Sequence, residues 1–279
     1  VSAPAGADDA RPPSAGEDPR EPPYPDARRG LVDDYLERLD FAAVGRAGRL
    51  VEAMRYSLLA GGKRIRPVLT LAVAESLERP PEHLLPTAAA LELIHTYSLI
   101  HDDLPAIDND ELRRGVPTCH VVYGEDIAIL AGDGLFAEAF RLVIERQQAA
   151  PETLLAVLGE IAAATGVQGM VGGQYMDVTA AVGREDDLRL LHSLKTGRLI
   201  EAAVVAGALL CGVSESEPLA PYRAFAREIG LLFQIVDDIL DVRGEDEALG
   251  KPTGSDERLA KLTYVSRHGL EGAQALASE

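Results

Sequence analysis

The chain has 279 residues, 47% of them hydrophobic and 26% charged, a globular composition long enough to bury a large core. Aspartate and glutamate outnumber lysine and arginine by 45 to 27, a net charge of -18, which argues against nucleic acid and anionic membrane surfaces as partners. The two cysteines, Cys119 and Cys211, build no disulfide framework, have no metal-ligand spacing, and fit a reducing, cytoplasmic compartment.

Residues 1–30 are rich in Pro, Ala and Gly with mixed charge and no apolar periodicity, so a disordered or surface-draped tail is expected there. They lack the basic and apolar regions of a signal peptide, and the start at Val1 suggests a processed or trimmed product. No later stretch is expected to reach the length of a membrane span. The longest apolar run, Ala202 to Val213, reads as a core helix.

From Leu31 onward nearly every segment carries the 3.6-residue period, which predicts helices at 31–38, 47–60, 66–78, 82–101, 124–148, 151–166, 185–213, 219–241 and 256–277. Breaks fall at Gly61-Gly62, Pro80-Pro81, Pro117, Pro151, Gly183 and Pro218. The class is therefore all-α, one domain over 31–279. Leu199 to Leu210 is apolar around most of its circumference, so a central layer must be wrapped by other helices. No 20 to 50 residue period repeats, which argues against a solenoid.

Three stretches carry the chemistry. Gly61 to Pro67, GGKRIRP, is a tight turn that delivers Lys63, Arg64 and Arg66 to the start of a helix, where basic groups suit a phosphate. Leu93 to Arg114, LIHTYSLIHDDLPAIDNDELRR, runs an apolar helix into Asp102, Asp103 and Asp108, with His95 two turns before Asp102 on the same face. Pro105 interrupts the helix, so Asp108 must come round by a local break. In Leu231 to Asp241, LLFQIVDDILD, residues Gln234, Asp237, Asp238 and Asp241 occupy one helical stripe.

Carboxylates crowded on one stripe repel, and burying one unpaired costs several kcal/mol, so each group needs water or a cation. Oxygen-only ligands select a hard ion: Mg²⁺ by default, with Mn²⁺ as substitute. The basic groups, among them Arg113 and Arg114, Lys195 beside Thr196, and Lys251 and Lys261, call for anions. A diphosphate held between Mg²⁺ and Lys/Arg satisfies both.

These residues resemble the trans-type isoprenyl diphosphate synthases, the polyprenyl synthetase family, over 31–279. GGKRIRP looks like its first basic motif, IHDDLPAIDNDELRRG its first aspartate-rich motif, and GGQYMD (Gly172 to Asp177) its middle motif. KTG (Lys195 to Gly197), FQIVDDILD (Phe233 to Asp241) and GKPTGSDERLAKLTY (Gly250 to Tyr264) follow in the family's order. Val265 stands where relatives commonly have proline, and the stop at Glu279 predicts that an end helix is incomplete.

The resemblance implies an all-helical bundle around a deep central cavity, usually a homodimer. It implies head-to-tail condensation of an allylic diphosphate with isopentenyl diphosphate, releasing pyrophosphate. Mg²⁺ would lie between Asp102, Asp103 and Asp108 and Asp237, Asp238 and Asp241. Lys63, Arg66, His95 and Arg114 would hold isopentenyl diphosphate, while Arg113, Lys195, Lys251 and Lys261 assist the allylic diphosphate and Thr196 and Gln234 face the cation. Intact aspartate and basic motifs speak against a terpene cyclase and against a non-catalytic subunit of a heteromeric synthase. Tyr97, five residues before Asp102, and Ser98 beside it would set chain length. An aromatic there, with Pro105 and Ala106 inside the aspartate motif, goes with farnesyl diphosphate; geranylgeranyl diphosphate is the alternative.

Overall fold

The computed structural model describes residues 25–43, 45–179, 185–213, 219–243 and 263–278. Its helices are α1 (Asp26–Glu37), α2 (Gly48–Leu58), α3 (Ile65–Ser76), α4 (Leu85–Asp102), α5 (Cys119–Tyr123), α6 (Glu125–Arg146), α7 (Pro151–Thr165), α8 (Met170–Val178), α9 (Glu185–His192), α10 (Arg198–Leu210), α11 (Ala220–Arg243) and α12 (Tyr264–Ser278). A π-helical turn, Ser193–Gly197, joins α9 to α10. A two-residue hairpin, β1 (Leu112–Arg113) against antiparallel β2 (Val116–Pro117), follows α4. The all-α class stands.

α4 and α10 form the central layer because their sequences leave no polar face to expose. In α4, Leu91, Leu93 and Ile94 are fully buried, each contributing about 1.5–3 kcal/mol relative to exposure. In α10 every residue from Leu199 to Leu209 is buried. α4 packs chiefly on α6, and α10 on α3, α7 and α11. Gly207 lets α10 approach α3: a Cβ there would stand 3.0 Å from the Thr70 carbonyl oxygen. Next to it the Thr70 hydroxyl donates to the Ala203 carbonyl at 3.0 Å, which fixes the crossing of the two helices.

Three local expectations need correction. α1 begins at Asp26, inside the stretch read as a tail. By length and composition Pro151–Val178 passes for a membrane span, against the expectation that none does. The chain instead breaks at Gly166–Gly169 into α7 and α8. α8 itself was missed, because Gly172 and Gly173 weigh against a helix by propensity. Both are needed for packing: a Cβ on Gly172 would meet the Val167 carbonyl oxygen at 1.9 Å, and one on Gly173 the Lys195 backbone nitrogen at 2.4 Å.

Candidate active site

α4 stops where its carboxylates begin. Asp103 caps its C-terminus, and the chain returns through a tight loop in which the Asp108 N–H donates to the Asp102 carbonyl at 2.9 Å. Asn109 adopts φ 53°, a left-handed conformation asparagine tolerates, and its N–H donates to the Leu104 carbonyl. This is the local break that Pro105 demanded. It brings Asp108 beside Asp102 on the wall of a cavity of about 560 Å³. Asp103 takes another direction: 3% exposed, it accepts from Arg113 Nε at 2.7 and 3.0 Å and lies off that wall. Burial pushes the Asp103 carboxyl up to about 6 against the pull of the Arg113 guanidinium.

α11 forms the facing wall. Gln234, Asp237 and Asp238 line the cavity, whereas Asp241, one turn on and 3% exposed, does not. Gln234 donates from its amide nitrogen to Asp238 at 2.8 Å and accepts from the Thr196 hydroxyl at 3.2 Å. The second Asp238 oxygen accepts from the Tyr264 backbone N–H at 2.7 Å, tying α12 to the site.

Between the walls stands Lys195, carried by the π-helical turn. Its ammonium donates to Asp177 of α8 at 2.7 Å and lies 3.9 Å from Asp102. Burial alone would lower its pKa; Asp102 and Asp177 more than offset that and raise it. Gly173 makes the arrangement possible by admitting the Lys195 backbone against α8.

The basic end of the cavity is built by α3, α4 and the hairpin. Arg66, 8% exposed, lines it with a buried Nε that has no hydrogen-bond partner, and burial lowers its pKa to about 10. His95 lines it too; burial first, then the Arg66 and Arg114 guanidinia, hold its pKa well below the usual imidazole value. Arg114 donates to the Gly61 carbonyl and occupies the space where a Gly62 Cβ would stand, its Cζ 2.7 Å from that point. Lys63 is at the rim, its ammonium 4.0 Å from Asp237 and 5.7 Å from the Phe233 ring centroid. A buried, unpartnered guanidinium nitrogen among further cations is a site made for an anion.

Below Asp102 the wall turns aromatic. Tyr97 meets the His101 ring at 5.7 Å and the Phe136 ring of α6 at 5.0 Å, and Phe136 meets Phe140 at 5.1 Å, all edge to face. Burial, then Asp102, pushes the Tyr97 hydroxyl up to about 12. Ser98 also lines the cavity, its hydroxyl donating back to the His95 carbonyl at 2.8 Å.

The cavity therefore collects Arg66, His95, Tyr97, Ser98, Asp102, Asp108, Arg113, Lys195, Thr196, Gln234, Asp237 and Asp238. Lys63, Arg114, Asp103 and Asp241 do not line it, and Lys251 and Lys261 lie outside the described residues. The sequence places Gln174 and Asp177 in the GGQYMD motif without a role for either, and both are on the cavity wall; neither nitrogen nor oxygen of the buried Gln174 amide has a partner. Their signal was present: two polar residues at i, i+3 in an otherwise apolar segment.

For a metal, Asp102 and Asp108 on one wall and Asp237 and Asp238 on the other offer carboxylate oxygens. Among the described residues no three carboxylates converge into a closed cage. That suits Mg²⁺, which keeps several waters and takes one or two protein carboxylates beside substrate phosphates.

Residues 48–278 match the family model described as polyprenyl synthetase. The chain is 46% identical over 249 residues to a geranylgeranyl diphosphate synthase of Cyanophora paradoxa, covering 88% of this chain and 82% of that one. It is also 46% identical over 245 residues to a farnesyl diphosphate synthase of Geobacillus stearothermophilus, covering 86% and 80%. Among solved structures, a geranyltransferase from Helicobacter pylori complexed with magnesium and isoprenyl diphosphate superposes with a TM-score of 0.81 at 33% identity, covering 89% of this chain and 84% of that one.

Proposed function

The chain belongs to the polyprenyl synthetase family and is a short-chain prenyltransferase, and on that premise we propose that its product is farnesyl diphosphate. The reaction breaks the C1–O bond of dimethylallyl or geranyl diphosphate and joins C1 to the terminal methylene carbon of isopentenyl diphosphate. A proton is then lost from the adduct to the departing pyrophosphate, so no protein base is assigned. The observation that carries the product assignment is Tyr97, which lines the cavity one to two turns before Asp102 and packs edge to face on Phe136.

Asp102 and Asp108 on one wall and Asp237 on the other are the carboxylates that would hold Mg²⁺, with Mn²⁺ as a substitute. When bound, the metal supplies positive charge where the C1–O bond releases negative charge. Asp103 and Asp238 brace these walls: Asp103, off the cavity, fixes Arg113, and Asp238, on the cavity wall, fixes Gln234. Because a carboxylate only accepts, Asp238 dictates which way the Gln234 amide points. The Gln234 amide oxygen then accepts the hydrogen bond that the Thr196 hydroxyl donates, and the hydroxyl lone pairs are left to face the allylic cation. Lys195, anchored by Asp177, meets the allylic diphosphate together with Arg113. Arg66, His95, Arg114 and Lys63 hold isopentenyl diphosphate.

The observation favouring a homodimer is the apolar exposure of Ile129, Leu130 and Ile144 on α6, at 44%, 51% and 60%. Light scattering coupled to size exclusion checks it.

The deciding experiment is incubation of the purified chain with isopentenyl diphosphate and Mg²⁺, adding dimethylallyl, geranyl or farnesyl diphosphate in turn. Dephosphorylated products are then identified by chromatography. Farnesol from the first two starters with no elongation of the third is expected. Geranylgeraniol as the main product would replace the farnesyl assignment by its runner-up, which the Cyanophora paradoxa relative favours.

A further inference from the structure

The middle residue of the basic turn faces neither substrate nor solvent. Arg64 is 3% exposed and is absent from the cavity wall that Arg66 lines. Its backbone is left-handed, φ 50° and ψ 35°, at the residue that launches α3, where its carbonyl accepts from the Val68 N–H at 2.9 Å. A non-glycine residue stays in that conformation only where its surroundings over-determine it, and such positions gather at functional sites.

What holds Arg64 is a fork engaged on three helices. Nε donates to Asp33 of α1 at 2.8 Å, one terminal nitrogen to Glu92 of α4 at 2.6 Å, and the other to the Leu58 carbonyl at the end of α2 at 3.0 Å. Glu92 is 1% exposed and sits one turn before His95. The anchored turn carries Lys63 immediately before Arg64 and Arg66 two residues after it.

We propose that Arg64, with Glu92 and Asp33, is a positioning system that sets the geometry of the isopentenyl diphosphate subsite. It touches no substrate and acts only through Lys63 and Arg66. The inference rests on the reading that these two side chains and His95 receive that diphosphate. It also gives α1, which precedes the residues matched by the family model, a part in the site through Asp33.

Two variants separate positioning from mere support of the fold. Arg64→Met removes the fork and leaves Glu92 without its partner. Arg64→Met/Glu92→Leu replaces the buried pair by apolar side chains, a change that commonly restores or raises stability. Both are compared with the wild type for thermal midpoint, for KM of each substrate, and for calorimetric binding of isopentenyl diphosphate in magnesium-free buffer.

The expected result is that both variants raise the KM for isopentenyl diphosphate on the order of 10-fold to 10²-fold, as a misplacement of about 1 Å does, with the allylic KM nearly unchanged. The double variant regains the thermal midpoint without regaining that KM. Wild-type KM values in the double variant, or parallel loss for both substrates, would overturn the proposal. The wild type separately tests the underlying reading: if it shows no turnover, that reading fails, and a calorimetric difference between wild type and variants still decides whether the fork organises an anion site.

Discussion

Arg113 grips Asp103 through Nε at 2.7 and 3.0 Å from the two carboxylate oxygens, while Asp102, the preceding residue, faces the cavity. Two adjacent aspartates in one motif thus have different work. The helix turns by about 100° per residue, so consecutive side chains point in different directions, and at the end of α4 that turn carries the Asp103 side chain off the cavity wall. Asp102 reaches the substrate side, and Asp103 reaches the hairpin whose arginine it orders.

That division predicts different phenotypes within the motif. Asp102→Ala or Asp108→Ala should lower kcat by about 10² or more, since a charge-stabilising group lost from the transition state costs about that much, with helicity and thermal midpoint unchanged. Asp103→Ala should also abolish turnover but lower the thermal midpoint, because the part-buried Arg113 loses its charge-assisted hydrogen bonds to Asp103, about 1.5–3 kcal/mol, and is left with the longer ion pair to Asp110 at 3.8 Å. Kinetics across a magnesium titration and thermal melts on the same preparations check this. Near wild-type turnover in Asp102→Ala at saturating Mg²⁺ would sink the assignment of that wall.

At the basic end, Lys63→Ala or Arg66→Ala should weaken isopentenyl diphosphate chiefly, each losing one charge-assisted contact of about 1.5–3 kcal/mol, roughly 10-fold to 10²-fold in KM. Calorimetry with a non-reactive allylic analogue in magnesium buffer should show little change. If the analogue is the ligand that is lost, the two diphosphates have been placed the wrong way round.

How much of this the amino-acid pattern revealed depends on the kind of information asked of it. Periodicity gave α4, α10 and α11 and put His95 in register with Asp102, since spacing along one helix decides which side chains share a face. It could not say which partner arrives from another element. Hence Asp103 and Asp241 looked equivalent to their neighbours on the motif, and Arg64 looked like a third phosphate ligand. α8 was hidden for a related reason: Gly172 and Gly173 are poor helix formers, and their role emerges only where α8 meets the Lys195 backbone.

His95 supplies a pH test. Burial and the neighbouring guanidinia depress its folded pKa well below 6.5, so the unfolded chain takes up a proton that the folded chain refuses. This contribution to stability is complete above about pH 6.5 and is lost as pH falls from there toward the folded pKa. His95→Gln should remove it, so the thermal midpoint of the wild type should fall more steeply than the variant's between about pH 6.5 and 5. A neutral imidazole also makes glutamine a fair substitute as donor, and the KM for isopentenyl diphosphate should rise less in His95→Gln than in His95→Ala. Titration of the His95 imidazole near pH 6.5 by NMR in the free enzyme would contradict the burial argument.

Chain length gives the last prediction. A growing prenyl tail runs from the carboxylate end down the face of α4, and Tyr97, five residues before Asp102, lies about 7.5 Å below it along the axis. The Tyr97 ring is braced edge to face on Phe136, 5.0 Å away, which is braced in turn on Phe140 at 5.1 Å. The tail therefore meets a stack of rings rather than one removable plug. Tyr97→Ala should take away the first ring and shift the product from farnesyl to geranylgeranyl length, and Tyr97→Ala/Phe136→Ala should lengthen it again. The half-saturating Mg²⁺ concentration should hardly move, because neither ring bears a metal donor. Chromatography of dephosphorylated products reads the result directly. If the wild type stops at farnesyl and Tyr97→Ala leaves that distribution unchanged, the floor of the cavity is formed by other side chains and Tyr97 is only a packing residue between α4 and α6.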